Sequence, residues 1–475
     1  MLAERGVRRA ARAGRWVLRL LALALLVSVL RAALHDFCQA WDSPYYHLPF
    51  AARFGGVLGP DDYVFSPDNE ARFAGFPLLG ERIQGLLYRL SGRPEAANLL
   101  AFASVPALAL YLRARFRVPA SVAVLGLFAL PLVQTHATST YVDLPANAAA
   151  AVFLLEAFAL LRAPRAATAA RVALALVPAT IAAQMRFQLL PTVGLGLVLL
   201  GLACLRRQRG GGRARAIVAL LLGVPCVIGK LLANVARFGN PVYPVELRVL
   251  GRALPFHETR YESYPEDLAH TPQPVRFLYS LVERGLPPLG APSRWTVDQF
   301  AAGTPAHRMG GSFGPYVVAL LVALAALALG RRGRPRELVV LLLALTAVVA
   351  AAPQSHELRY YLVWPMLLVA SVLIGVSSLP RRALAPRGLV TALVGIAFAV
   401  VAGTTRGEWL VPSGSRLEEL VAKRVSPEVL GRIGEGETVC LWKPPWTLLY
   451  AGKYHGRRYR VVEGESGCGV VRRVE

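Results

Sequence analysis

Charge is what this chain has least of. Charged residues make up 17% of its 475 positions, where a soluble protein carries about a quarter. Acids are the scarcer sign, with 29 Asp and Glu against 53 Lys and Arg. The five cysteines form no CxxC pair and no Cys/His spacing of a metal site, which excludes a zinc module or a dithiol redox centre. No P-loop and no dinucleotide-binding glycine fingerprint occurs, so ATP-driven transport and a nucleotide-sugar site on the cytoplasmic face lack their usual carriers. A basic stretch (Arg5, Arg8, Arg9, Arg12, Arg15) precedes the first apolar run, but no small-residue cleavage site follows in 34–41. The run reads as a retained helix, not a cleaved signal.

What is present is apolar. Hydrophobic residues reach 55% and the mean hydropathy is +0.45. Apolar runs recur at 16–34, 96–112, 119–136, 144–161, 171–185, 188–205, 216–235, 314–330, 337–353, 360–379 and 388–404. Each approaches the length that crosses a ~30 Å hydrocarbon core as a helix. None alternates as a barrel strand does, and in lipid the backbone must satisfy its own hydrogen bonds. The sequence predicts an all-α polytopic membrane protein with about eleven transmembrane helices.

A formal charge of +24 suggests nucleic acid only in a soluble chain. Here the arginines lie between apolar runs, with no aromatic-interleaved basic surface, so no nucleic-acid partner is expected. They sit at Arg113/Arg115/Arg117, Arg162/Arg165/Arg171, Arg206/Arg207/Arg209/Arg213/Arg215, Arg331/Arg332/Arg334/Arg336 and Arg381/Arg382/Arg387. With a cytoplasmic N-terminus every one of these short connections is inside, as the positive-inside rule asks. The expected organisation is a membrane domain, 1–404, with outer loops 35–95 and 236–313, and a small α/β tail, 405–475, on the periplasmic side. In the tail, 416–425 suits an amphipathic helix and 438–442 and 459–462 suit strands. Cys440 and Cys468 can pair there if the tail is exported. Arginine in preference to lysine, with abundant alanine, fits a GC-rich bacterial genome, and the expected location is a bacterial cytoplasmic (inner) membrane.

The candidate chemistry lies on the predicted outer face. Trp41-Asp42-Ser43-Pro44-Tyr45-Tyr46-His47-Leu48-Pro49-Phe50 follows the first helix and combines an acid, a histidine and aromatics at the membrane surface. Pro49 favours a short interfacial helix over an extension of the first span. Asp42 sits where an N-cap belongs, with Pro44 in the first turn, so a plain cap with aromatic anchors is the alternative. Asp143-Leu144-Pro145 repeats the pattern at the mouth of the fourth span, and Glu81 opens a further apolar stretch. Arg186 lies at the tip of a tight hairpin, Lys230 within a span and Arg359 where the tenth span begins. Snorkelling explains such cations equally well, although Lys230 at a helix centre costs about 2.5–3.5 kcal/mol and must face protein or water. Together they form an electropositive lining suited to phosphate.

At these motifs the sequence resembles the GT-C superfamily of lipid-linked-sugar glycosyltransferases, in the bacterial branch related to protein mannosyltransferases. Asp42–Pro49 looks like that family's D-x-x-x-YHLP stretch, and Phe76-Pro77-Leu78-Leu79-Gly80-Glu81 is similar to its Pro-x-x-x-Glu continuation. Tyr141-Val142-Asp143-Leu144-Pro145 looks like a Y-x-DLP helix start. Gly239-Asn240-Pro241-Val242-Tyr243-Pro244 matches a GNPxYP element, and Arg359-Tyr360-Tyr361 resembles an RY-type helix entry. The likeness spans roughly 35–365 in the family's order. One departure is Arg186-Phe187, where many relatives carry lysine then tyrosine.

The resemblance implies transfer of a hexosyl or pentosyl group from a polyprenyl phosphate to a glycan, lipid or protein acceptor, with inversion. A phosphate leaving group needs little protonation, so one carboxylate suffices. Asp42 is then the catalytic residue, deprotonating or orienting the acceptor. Asp143, Glu81, His47 and Tyr46 position the acceptor or a metal, and Arg186, Lys230 and Arg359 hold the lipid phosphate. No cofactor is required, although some members of the superfamily use a divalent metal. The rival readings are a surface-polysaccharide polymerase or ligase, which would place its arginines in a long late loop, and a secondary transporter, which would show inverted repeats and midplane charges.

Overall fold

Long apolar runs with few breakers fold as helices, and among the described residues six of them are long and apolar enough to cross a bilayer: Ala13–His35, Pro94–Phe116, Asp143–Arg162, Phe187–Arg206, Gly211–Phe238 and Ala385–Thr404. Ala169–Ala183, Phe313–Leu329 and Val363–Ser377 are apolar but shorter. The computed structural model describes residues 2–207, 210–260, 264, 268–283, 285–289, 309–330, 334–380, 383–405, 407, 409–464 and 472–473. Arg209, Arg331, Arg332, Arg381, Arg382, Cys468 and 290–308 of the expected second loop lie outside the described residues.

The span expected at 119–136 is broken. Ala120–Phe128 and Pro131–Ala137 meet at 96°. Pro131 brings no amide hydrogen, and Leu130 before it is extended, with φ −90° and ψ 114°, as residues preceding proline prefer. The second piece turns aside and delivers 138–142 to one end of the bundle. At the bundle's centre Val363–Ser377 is buried from Val363 to Val376, as a helix apolar on every side must be. It packs with Asp143–Arg162, Phe313–Leu329 and Arg334–Ala350.

The segment after the first helix folds at that same end as short helices, among them Leu48–Phe54, Pro67–Gly75 and Leu79–Ser91. The tail leans directly on it. Tyr63–Val64 is an edge strand of a four-stranded parallel sheet whose other members are Arg460–Glu463, Thr438–Leu441 and Arg472–Arg473, in that spatial order. Tyr63 is in register with Val461. One buried cluster joins Phe50, Tyr63 and Phe65 of the first segment to Leu420, Val439, Leu448 and Val461 of the tail, so the core under the sheet is common to both. Glu463 fixes the junction by accepting from the Ser66 amide at 3.2 Å and from Asn69 Nδ2 at 3.0 Å. Cys440 is disulfide-bonded.

Candidate active site

Asp42 occupies the N-cap position of the turn Ser43–His47, but its side chain makes no capping bond. The carboxylate is used elsewhere: Arg359 Nη1 donates to its Oδ2 at 3.0 Å. Arg359 stands on a single 3-10 turn, Leu358–Tyr361, just before the central helix. Its Nη2 donates to the Tyr360 hydroxyl at 2.8 Å, and its guanidinium carbon lies 4.7 Å from the Tyr360 ring centre and 5.5 Å from that of Tyr141. The Tyr141 hydroxyl in turn accepts from the Asp42 amide at 3.2 Å. Arginine thus has a planar face against aromatics and an edge against the acid, a geometry lysine does not reproduce.

A second pair stands beside the first. Asp143 opens its helix, and Arg186 Nη2 donates to its Oδ2 at 2.7 Å. The Arg186 guanidinium carbon is 5.6 Å from the same Tyr360 ring. Burial alone would lower the pKa of Arg186, but the Asp143 carboxylate holds it well above the ordinary value. Asn147, one helical turn beyond Asp143, ties the two halves together. Its Nδ2 donates to the carbonyls of Asp143 at 2.8 Å and Arg359 at 3.3 Å, and its Oδ1 accepts from the Val363 amide at 2.8 Å.

The third element is His47 and Glu81, whose Nδ1 and Oε1 are 2.7 Å apart and both nearly unexposed. Burial raises the Glu81 carboxyl to about 7, with Arg186 opposing the rise. Burial, reinforced by Arg186, lowers the His47 imidazole to about 3. Leu79–Ser91 can bring Glu81 this close because Gly55 and Gly85 let two backbones touch: a Cβ on Gly85 would lie 2.4 Å from the Ala51 carbonyl oxygen. Gln84 Nε2 anchors the same helix to the Thr140 carbonyl at 2.6 Å, while Ser43 and Thr140 share a hydroxyl–hydroxyl bond.

These groups border a cavity of about 210 Å³ lined by Tyr46, His47, Glu81 and Arg186 together with an apolar wall that includes Phe76, Pro77, Leu78, Met185, Phe187 and Pro191. Four buried polar atoms of this cluster make no hydrogen bond among the described residues: His47 Nε2, Glu81 Oε2 and Arg186 Nε on the lining, and Asp143 Oδ1. Asp42 and Arg359 are not among the lining residues.

Of the sequence-predicted residues, Asp42, Tyr46, His47, Glu81, Asp143, Arg186 and Arg359 therefore converge at one end of the bundle. Lys230 does not join them. Its Nζ donates to the Ala74 carbonyl at 2.7 Å, and Asn234, one turn on, donates to the Gly75 carbonyl at 2.8 Å. Both grip the end of Pro67–Gly75. Asn147 and Gln84 escaped the sequence reading, although an amide one turn after Asp143 in an otherwise apolar run was a usable signal.

Among the described residues no three His, Cys, Asp or Glu side chains come together as a metal site. Each acid here is already matched, Asp42 and Asp143 by arginines and Glu81 by His47, a donor set that does not fit a divalent cation.

No sequence-family profile and no characterised protein matches the chain by sequence. Its fold does have counterparts. ArnT from Cupriavidus metallidurans, solved in the apo state, superposes with a TM-score of 0.54 at 14% identity, over 96% of this chain and 87% of that one. The arabinofuranosyltransferase AftD from mycobacteria superposes with a TM-score of 0.49 at 15% identity, over 94% of this chain but 33% of that one, a likeness too weak to carry an argument. The first establishes fold alone: this chain shares the helical membrane fold of that protein.

Proposed function

We propose that this protein is a membrane glycosyltransferase that moves a sugar from a polyprenyl-phosphate donor to an acceptor glycan, lipid or protein at the outer face of a bacterial cytoplasmic membrane, with its N-terminus in the cytoplasm. The observation that carries the reading is Arg186, a buried arginine on an apolar-walled cavity with one N–H left without a partner. An anionic head on an isoprenoid tail is complementary to such a place. Arg186 meets the phosphate and takes up the charge that grows there as the glycosidic bond breaks. Asp143 holds Arg186 in position while the Nε–H stays free.

Phosphate leaves as an anion, so no acid has to protonate it. The acceptor approaches from the opposite face of the sugar and inverts the anomeric carbon. Asp42, steered by Arg359, orients the incoming hydroxyl or amine through the carboxylate oxygen that Arg359 does not occupy. The Arg359 bond fixes the direction in which the second oxygen of Asp42 points, which is what orientation of a nucleophile requires. Lys230, bonded to Ala74, is left out of the phosphate site.

Transfer from radiolabelled polyprenyl-phosphate sugars, compared in right-side-out and inverted membrane vesicles, tests the reading. Transfer confined to donors reaching the outer face, and lost in a normally inserted Asp42→Asn protein, is the expected result. No transfer from any such donor would end it.

A further inference from the structure

Asp42 and Asp143 are each held by an arginine and neither lines the cavity, so a group on the cavity wall is better placed to take the nucleophile's proton. The only cavity-lining base among the described residues with an unoccupied nitrogen is His47. Its Nδ1 is 2.7 Å from Glu81 Oε1, and its Nε2, without exposure or partner, borders the cavity. The ring is fixed between Tyr46 and Tyr141, whose centres lie 4.3 and 5.3 Å away. Glu81 is fixed by the close approach of its helix to Ala51.

We propose that His47 and Glu81 form a two-step proton relay for the transfer reaction: His47 Nε2 accepts the proton of the attacking acceptor while the proton on Nδ1 passes to Glu81 Oε1. The inference rests on the transferase reading above and adds the group that removes the proton. The balance closes. The acceptor's O–H or N–H bond breaks and its electron pair forms the new bond to the anomeric carbon. The bond from that carbon to phosphate breaks and its pair leaves with the phosphate. One proton enters the dyad at Nε2 and one moves within it, so the dyad goes from carboxylate plus neutral imidazole to carboxylic acid plus neutral imidazole.

An imidazolium never has to exist. That matters in a buried place, where a new charge is costly. It agrees with an imidazole depressed to about 3 and a carboxyl raised to about 7. The groups facing the dyad are Asp42 and Tyr46 on its own segment, Tyr141 and Asp143 from the next, Arg186 from the hairpin and Arg359 from the turn before the central helix. Glu246 and Arg260 also line the cavity. The direction of titration follows: below about 7 Glu81 already holds the proton, Nε2 carries hydrogen and the relay is full. Above it, Nε2 presents a lone pair.

Transfer by the purified, reconstituted protein should therefore rise with pH through about 7. Glu81→Gln keeps an acceptor for the Nδ1 hydrogen but has no place for the proton. It should lower transfer about 10²-fold or more and flatten that limb, and His47→Gln should lower it as far. Thermal melts establish that each variant is folded. Carbethoxylation of His47, read by mass spectrometry, reports the free Nε2 without turnover. In wild type its rate should climb through the same pH range, and in Glu81→Gln it should lose that dependence. Undiminished transfer by a folded His47→Gln, or a wild-type pH dependence kept by Glu81→Gln, overturns the relay. If wild type transfers no sugar from any donor, the transferase reading fails and the relay's role fails with it. The carbethoxylation then separates the two ideas, since an unreactive His47 also removes the dyad while a reactive one shows the dyad present without this reaction.

Discussion

Arg186 and Asp143 meet at 2.7 Å with the acid wholly buried and the arginine nearly so, yet each keeps one polar atom, Nε and Oδ1, without a hydrogen bond among the described residues. The pair neutralises itself and still has capacity for a ligand. A pair serving stability alone would be expected to saturate its valences, because burying an unsatisfied polar atom costs about 1–3 kcal/mol.

Asp143→Asn removes the counter-charge and leaves Arg186 buried and unpaired. Stability should fall by about 3–5 kcal/mol, seen as a lower Tm of the detergent-purified protein. The double variant Asp143→Asn/Arg186→Gln should recover much of the loss, because no lone charge is then buried.

Arg186→Lys separates charge from shape. An ammonium can satisfy Asp143 or reach a phosphate but cannot fork to both, so KM for the lipid-linked donor should rise by about tenfold or more, as expected for loss of one charge-assisted hydrogen bond. Steady-state kinetics over a range of donor concentrations checks this.

Gly85→Ala pushes a methyl group to 2.4 Å from the Ala51 carbonyl oxygen. The helices Leu48–Phe54 and Leu79–Ser91 must part, at about 1–3 kcal/mol, and Glu81 moves with the second. Lower Tm together with lower transfer is expected. Leu86→Ala, at an exposed site on the same helix, should change Tm by less than the Gly85 variant.

Asn147→Ala withdraws the acceptor of the Val363 amide and the donor to two carbonyls. Beyond about 1–3 kcal/mol of stability, it should loosen Arg359 against Asp42. Hydrogen exchange should quicken at 358–363, and transfer should fall even where the protein stays folded.

The sequence carried the class of fold and most of the residues that gather at the candidate site, for a physical reason. Membrane helices announce themselves by length and apolarity, and charges are scarce beside them, so Asp42, Asp143, Arg186 and Arg359 stand out even though capping or snorkelling could account for each alone. Spacing could not say who pairs with whom. Asp42 and Arg359 are 317 positions apart, and only packing makes them neighbours. Lys230 shows the converse: its type fitted a phosphate site, but a nearby backbone carbonyl claimed it. The break at Pro131 was hidden because the apolar run continues through it, and the strand Tyr63–Val64 because two residues are too few for any period to register.

The ladder between Tyr63 and Val461 also constrains how such a molecule can change. Two strands cannot share hydrogen bonds across a bilayer, so the chain between them must traverse it an even number of times, whatever that number is. Parity is thereby a structural property of this protein. A single helix gained or lost between these strands would carry the tail to the opposite compartment and strip the first loop of its partner, so viable rearrangements of the intervening membrane segment come in twos.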